Sequence, residues 1–155
     1  MASLQYVPHV DLFLHALRIN RERLHSKSKV AIDAKLLKAL LKTIVQCAPF
    51  SEEYYLETYP DIAEAYAAGQ ISDLRRHFVE FGYFEGRVGA APPVDEAYYT
   101  SLYKDVGQAM LSGDIKSGAE HYQGPGCAEG RVPNAQLKPV VDAWMELLGD
   151  DAGRG

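Results

Sequence analysis

The residues in this chain that can do chemistry are few in kind. There are five histidines, His9, His15, His25, His77 and His121, and two cysteines, Cys47 and Cys127. No two histidines lie four apart on one helix face and none neighbours a cysteine, so no metal-ligand spacing is present. The stretch "GPGCAEG" is Gly-rich but lacks the Lys-Ser/Thr of a phosphate loop, and no serine sits in a nucleophile elbow. Carboxylates are abundant, yet they stand where helix caps and solvated faces call for them. The expectation is therefore no catalytic residue, no metal and no cofactor.

Tyrosine is the over-used chemical type, ten in all, most of them between residues 54 and 122. Tyr54, Tyr55, Tyr59, Tyr98, Tyr99 and Tyr103 recur in two matched sets. A tyrosine brings a large apolar face with a hydroxyl at its edge. Packing between helices is the plain reading. The alternative is a shallow aromatic surface, joined by His77 and His121, that stacks on sugar rings or on a partner protein.

The matched sets belong to a longer repeat. Residues 49–88 lie over 93–132 without a gap, 44 residues apart, and fifteen of forty positions are identical. Chance from composition gives about two or three. Both copies end in Glu-Gly-Arg-Val, as Glu85 to Val88 and Glu129 to Val132. Gly86 and Gly130 are expected in a backbone conformation closed to other residues. Arg87 and Arg131 are then expected to fold back onto a carboxylate of their own copy, Asp61 and Asp105 first, Glu85 and Glu129 next, because a bidentate Arg–carboxylate pair fixes geometry. The alternative is that each arginine meets an anionic ligand.

The elements that position these residues read as helices. In each copy Ser51 or Asp95 precedes a Tyr-rich helix. Pro60 stops the first helix and suits the start of the second, which runs to Gly69. Ser72 is expected to open a third, with Leu74, His77, Phe78 and Phe81 on one face, ended by Gly82. In the second copy Gly124-Pro125-Gly126 ends that helix sooner. No period-two alternation runs long enough for a strand, so the fold class is all-α.

The pattern "YYLETYPDIAEAYAAGQISDLRRHFVEFGYFEGR" resembles a short repeat of bacterial proteins with a Tyr-rich start, a Pro-Asp-Val/Ile-Ala step, a Gly, a His-Phe pair and a Gly-x-x-Glu-Gly-Arg ending. Such units accompany glycosyltransferase domains and secreted repeat proteins, so the resemblance implies a link to surface or extracellular polysaccharide. It spans roughly residues 50–132. The first copy carries the whole pattern, whereas the second has Lys104 in place of Pro and Gly124-Pro125 inside the third helix. The resemblance marks a fold and assigns no catalytic residue.

Residues 1–48 read as an amphipathic helical hairpin. "VDLFLHALRINRERLH" forms its first helix. "DAKLLKALLKTIVQCA" forms its second, capped by Asp33, with Leu36, Leu37, Leu40, Leu41, Ile44 and Val45 as an apolar stripe and Lys35, Lys38 and Lys42 opposite. The hairpin either caps the repeat stack or pairs with a second chain through that stripe; attachment to a membrane surface by the lysines is a third reading. Residues 133–155 hold a last helix, "PVVDAWMELLG", expected to cover the second repeat or the hairpin with Val140, Val141, Trp144, Leu147 and Leu148, and then a mobile tail, "DDAGRG".

Charge divides the chain. The net is −5, yet residues 1–47 hold eight Lys or Arg against three Asp or Glu, and the remainder eight against eighteen. A basic front and an acidic back can attract within one molecule or between two. The acidic Tyr-rich part argues against nucleic acid. Apolar runs are broken too early for a spanning helix, and the first residues lack the basic cluster of a cleaved signal peptide. Two unpatterned cysteines fit reduced thiols in the cytoplasm. The expected function is a non-enzymatic interaction or scaffold module that meets a protein partner or itself, in a polysaccharide setting. A carbohydrate-binding module built on the repeat tyrosines is the alternative, and a small enzyme of unknown class a second.

Overall fold

Helix starts in this chain are set by short polar side chains. The computed structural model describes residues 6–149. In α1 (Val10–Leu17) the His9 ring accepts from the Asp11 N–H, and in α2 (Arg21–Leu24) Asn20 accepts from Arg23 at 2.8 Å. Asp33 accepts from the Lys35 N–H at 2.8 Å and opens α3 (Ala34–Val45). After α4 (Glu52–Thr58), α5 (Pro60–Ala67) starts on Pro60, whose missing N–H costs a first turn nothing. Asp73 caps α6 (Leu74–Glu80), Asp95 caps α7 (Glu96–Leu102), and α8 (Lys104–Ser112) follows directly. Ser117 caps α9 (Gly118–His121). The last helix, α10 (Lys138–Leu148), is preceded by Asn134, whose Oδ1 accepts from the Leu137 N–H at 2.9 Å. Each bond satisfies a backbone donor that the first helical turn leaves unpaired. Among the described residues the chain is all-α, with ten α-helices and no strand. No helix among them is long and apolar enough to cross a membrane.

Three local expectations are corrected. The single helix expected over residues 10–25 is broken at Arg18, which takes a left-handed conformation at φ 53° and closes α1 onto the His15 and Leu14 carbonyls. Asp73, not Ser72, caps α6: its carboxylate accepts from the Arg76 N–H at 2.8 Å. Phe81 is exposed and lies past the end of α6, where the chain tightens into a 3-10 turn over Gly82–Glu85, and Val79 takes its place in the core. In the second copy, by contrast, α9 widens into one turn over Tyr122–Gly126 and kinks at Gly124 beside Pro125.

The chain forms two compact units, one of residues up to Glu52 with Tyr59–Gly89, the other of Glu53–Thr58 with Ala90 onward. These boundaries differ from those of the sequence copies. The tail from residue 150 lies outside the described residues.

In the first unit Val45, Ile62, Leu74, Phe78 and Val79 are buried, and the Phe50 ring stacks on Phe78 with centroids 5.5 Å apart. Helix α3 meets α6 in an unexpected orientation. Lys42 pairs with Glu80, and the Lys38 ammonium lies 4.8 Å over the Phe84 ring. Arg75 reaches back to the carbonyls of Gln46 at 2.6 Å and Ala48 at 3.2 Å, satisfying acceptors that the end of α3 leaves open. The lysine side of α3 therefore faces α6, with Val45. The expected core stripe is split: Val45 is buried, Leu36, Leu40 and Leu41 are half-buried, and Leu37 and Ile44 are exposed.

The second unit is built on Tyr99, Val106, Val132 and Pro133, all buried, with Tyr55 equally inaccessible. Asn134 is buried too and serves both chain directions, its amide donating to the Pro93 carbonyl at 2.6 Å.

Candidate functional site

The repeated Glu-Gly-Arg-Val ends build the same clasp in each unit. In the first, Gly86 takes φ 81° and lets the chain reverse after the 3-10 turn. Arg87 then donates to both oxygens of Asp61, at 3.0 and 2.7 Å, and through Nε to Glu85 at 2.9 Å. Its guanidinium lies 4.9 Å from the centre of the Tyr59 ring, and the Tyr59 hydroxyl accepts from the Val88 N–H at 2.7 Å. In the second, Gly130 takes φ 68°. Arg131 donates to Asp105 at 3.0 and 2.8 Å and to Glu129 at 2.6 Å. Tyr103 sits under the guanidinium at 4.7 Å and accepts from Val132 at 2.8 Å.

These bonds set the ionisation. The Arg87 bond is the largest influence holding the Asp61 carboxyl below its usual range, and Arg131 does the same for Asp105. Bonding to Asp61 and Asp105 in turn holds the two guanidinium groups charged more firmly. A guanidinium whose in-plane donors meet two carboxylates and whose face meets an aromatic ring has little left for an external anion.

The repeat tyrosines do not share one surface. Tyr55 and Tyr99 are fully buried, which removes them from the aromatic face the sequence suggested. Burial pushes the Tyr99 phenol up to about 12, and its hydroxyl meets His121 Nδ1 at 3.0 Å. Tyr54, Tyr59, Tyr98 and Tyr103 are half-buried, and Tyr103 is flanked by the Tyr99 ring at 4.8 Å as well as by Arg131. His77 is half-buried with its ring 5.8 Å from Phe81. Glu96, whose role the sequence did not suggest, reaches across to accept from the Gly118 and Ala119 N–H groups at 2.7 and 2.9 Å, tying α7 to the start of α9. Its position is shared by both copies, and that sharing was the available signal.

Two kinds of feature remain open to a ligand or partner. An open cleft of about 570 Å³ in the second unit is lined by the clasp and by Leu102, Lys138, Asp142 and Met145. Lys138 and Asp142 are paired across one turn of α10, which raises the lysine's pKa. Apolar helix faces are the other kind. Helix α10 meets the second repeat through Met145, which lies against Gly130, and Val141 is half-buried, but the helix has no buried residue and Val140, Trp144, Leu147 and Leu148 are exposed rather than covering that repeat as expected. Cys47 and Cys127 are free thiols at exposed positions. Among the described residues no three His, Cys, Asp or Glu side chains are grouped to hold a metal ion.

No protein-family description, curated protein or solved structure matches this chain.

Proposed function

We propose that this chain is a non-catalytic interaction module, a helical scaffold that docks other proteins in the bacterial surface-polysaccharide setting its repeat resembles. One observation carries the reading. The arginines, repeat carboxylates and Tyr99–His121 pair are committed to bonds inside their own units, while α10 turns four large apolar side chains to solvent. An exposed apolar stripe of that kind on a globular chain marks a contact surface. Asp105, held ionised by Arg131, is unsuited to act as a general acid at neutral pH. The exposed free thiols fit a reducing compartment, the cytoplasm.

The test is affinity capture from a native lysate with the full chain and with Leu147→Asp side by side. Proteins of polysaccharide assembly retained by the first and lost with the second support the reading, and identical captures from both contradict it.

The cleft beside Arg131 favours a second reading, a carbohydrate site. Asp105, Glu129 and Lys138 offer hydroxyl-binding groups next to Leu102 and Met145, the mixed lining a sugar requires. Stacking on Tyr103 is not part of it, since that ring is covered by Arg131 and Tyr99. Calorimetry with acidic and neutral bacterial polysaccharides tests it, with Lys138→Ala expected to weaken any binding.

A further inference from the structure

We infer that the partner of the exposed α3 and α10 faces is a second copy of this chain, with α3 of one copy packed against α10 of the other. The inference rests on the scaffold reading and names its partner. On α3 the outward stripe runs from Leu37, 44% exposed, to Ile44, 55% exposed, with Leu36 and Leu40 half-buried beside them. On α10 it runs from Val140 through Trp144, 52% exposed, to Leu147, 80% exposed. Both stripes run from a first residue to one seven positions on, about two helical turns, so they match in length and side-chain spacing.

Charge chooses among the three ways two copies can meet. The unit that carries α3 holds eleven Lys or Arg against nine Asp or Glu, for a net of +2. The unit that carries α10 holds five against twelve, for a net of −7. Pairing α10 with α10 brings two strongly acidic units together, and pairing α3 with α3 brings two basic segments together. Only α3 against α10 joins opposite signs, and like-charge juxtaposition is what suppresses wrong partners. Near the stripes the bias is smaller but of the same sign: Lys27, Lys29 and Lys35 stand with Asp33 before or at the start of α3, and on α10 Lys138 pairs with Asp142, leaving Glu146. A single pair of three-turn helices falls short of the roughly 1,200 Å² that a specific interface buries. A stable assembly therefore uses both pairs reciprocally, as a two-fold dimer does.

The experiment is light scattering on the full chain with Ile44→Asp and with Leu147→Asp. Wild type is expected to be dimeric at tens of micromolar, and each variant alone monomeric, because each damages both reciprocal pairs. Trp144, the chain's one tryptophan, gives a second readout. Its emission moves to the blue as wild type is concentrated, and stays put in Ile44→Asp although that substitution lies on the other helix. Far-UV circular dichroism establishes that both variants are folded. Raising salt from 50 to 500 mM weakens the wild-type dimer roughly three- to tenfold. A monomeric wild type overturns the inference but leaves the scaffold reading intact if lysate capture still depends on Leu147. A dimer lost in only one variant also overturns it.

Discussion

The Arg87 clasp and the Arg131 clasp use the same atoms at nearly the same distances, 2.7 and 2.8 Å to their aspartates, yet their neighbourhoods differ. A methyl group added at Gly86 would meet open space, whereas one added at Gly130 would run into the Met145 side chain of α10. The third helix differs as well: α6 has seven residues and buries Leu74, Phe78 and Val79, while α9 has four and gives way to a wide kinked turn. The constant part is the clasp and the tyrosine beneath it, and the variable part is what packs around them. Tolerance of such changes around an unchanged ion-pair cluster marks the cluster as the element that shapes each unit.

The comparison can be sharpened by substitution. The largest effect is expected from Tyr99→Ala, which empties a fully buried site and costs about 3–5 kcal/mol in a denaturant melt. Tyr99→Phe keeps the packing and loses the bond to His121, for about 1 kcal/mol. If both substitutions left the melt unchanged, Tyr99 would not be core.

The two glycines come next. Gly86→Ala places a side chain in the left-handed region and costs about 1 kcal/mol. Gly130→Ala carries the same conformational cost and must also displace Met145, for about 2 kcal/mol, part of which is recovered when Met145→Ala is added. Equal losses at the two positions would show that α10 does not close over the second clasp.

Acid should weaken both clasps. The folded-state pKa values of Asp61 and Asp105 are depressed, so their contribution is complete above the ordinary carboxylate pKa and is lost as pH falls through the folded value. The melting temperature is therefore expected to be flat above about pH 5 and to drop below about pH 4. The drop should be shallower in Arg87→Ala and Arg131→Ala, which have already lost the pair. The smallest effect belongs to Lys138→Ala, where only an exposed pair with Asp142 is lost and the same melts are expected to stay close to wild type.

Helix class, most caps and the left-handed glycines were legible because each is a local property of a few neighbouring residues. Asp33 and Asp95 announce helix starts whatever the tertiary contacts are. The Asp61–Arg87 and Asp105–Arg131 geometry was readable for another reason: both partners recur together at the same separation, and a repeated charge pair narrows the choice of mates. The facing of α3 was not legible. Its apolar periodicity points inward by every pattern rule, and only the three-dimensional positions of Glu80 and Phe84 turn Lys38 and Lys42 toward α6. The break at Arg18 escaped because a left-handed arginine has no composition signal, and α10 was expected to be covered because its stripe resembles that of a core helix. Tyr55 and Tyr99 illustrate the same limit, since a buried and an exposed tyrosine are spelled alike.

The central claim is that each shared arginine acts through its aspartate to hold its own unit in shape. A thermal double-mutant cycle on Arg131→Ala and Asp105→Ala tests it most directly. The account predicts that each single variant melts several degrees below wild type and that the double variant melts no lower than Arg131→Ala alone. Losses that simply add, or two single variants that melt like wild type, would contradict it.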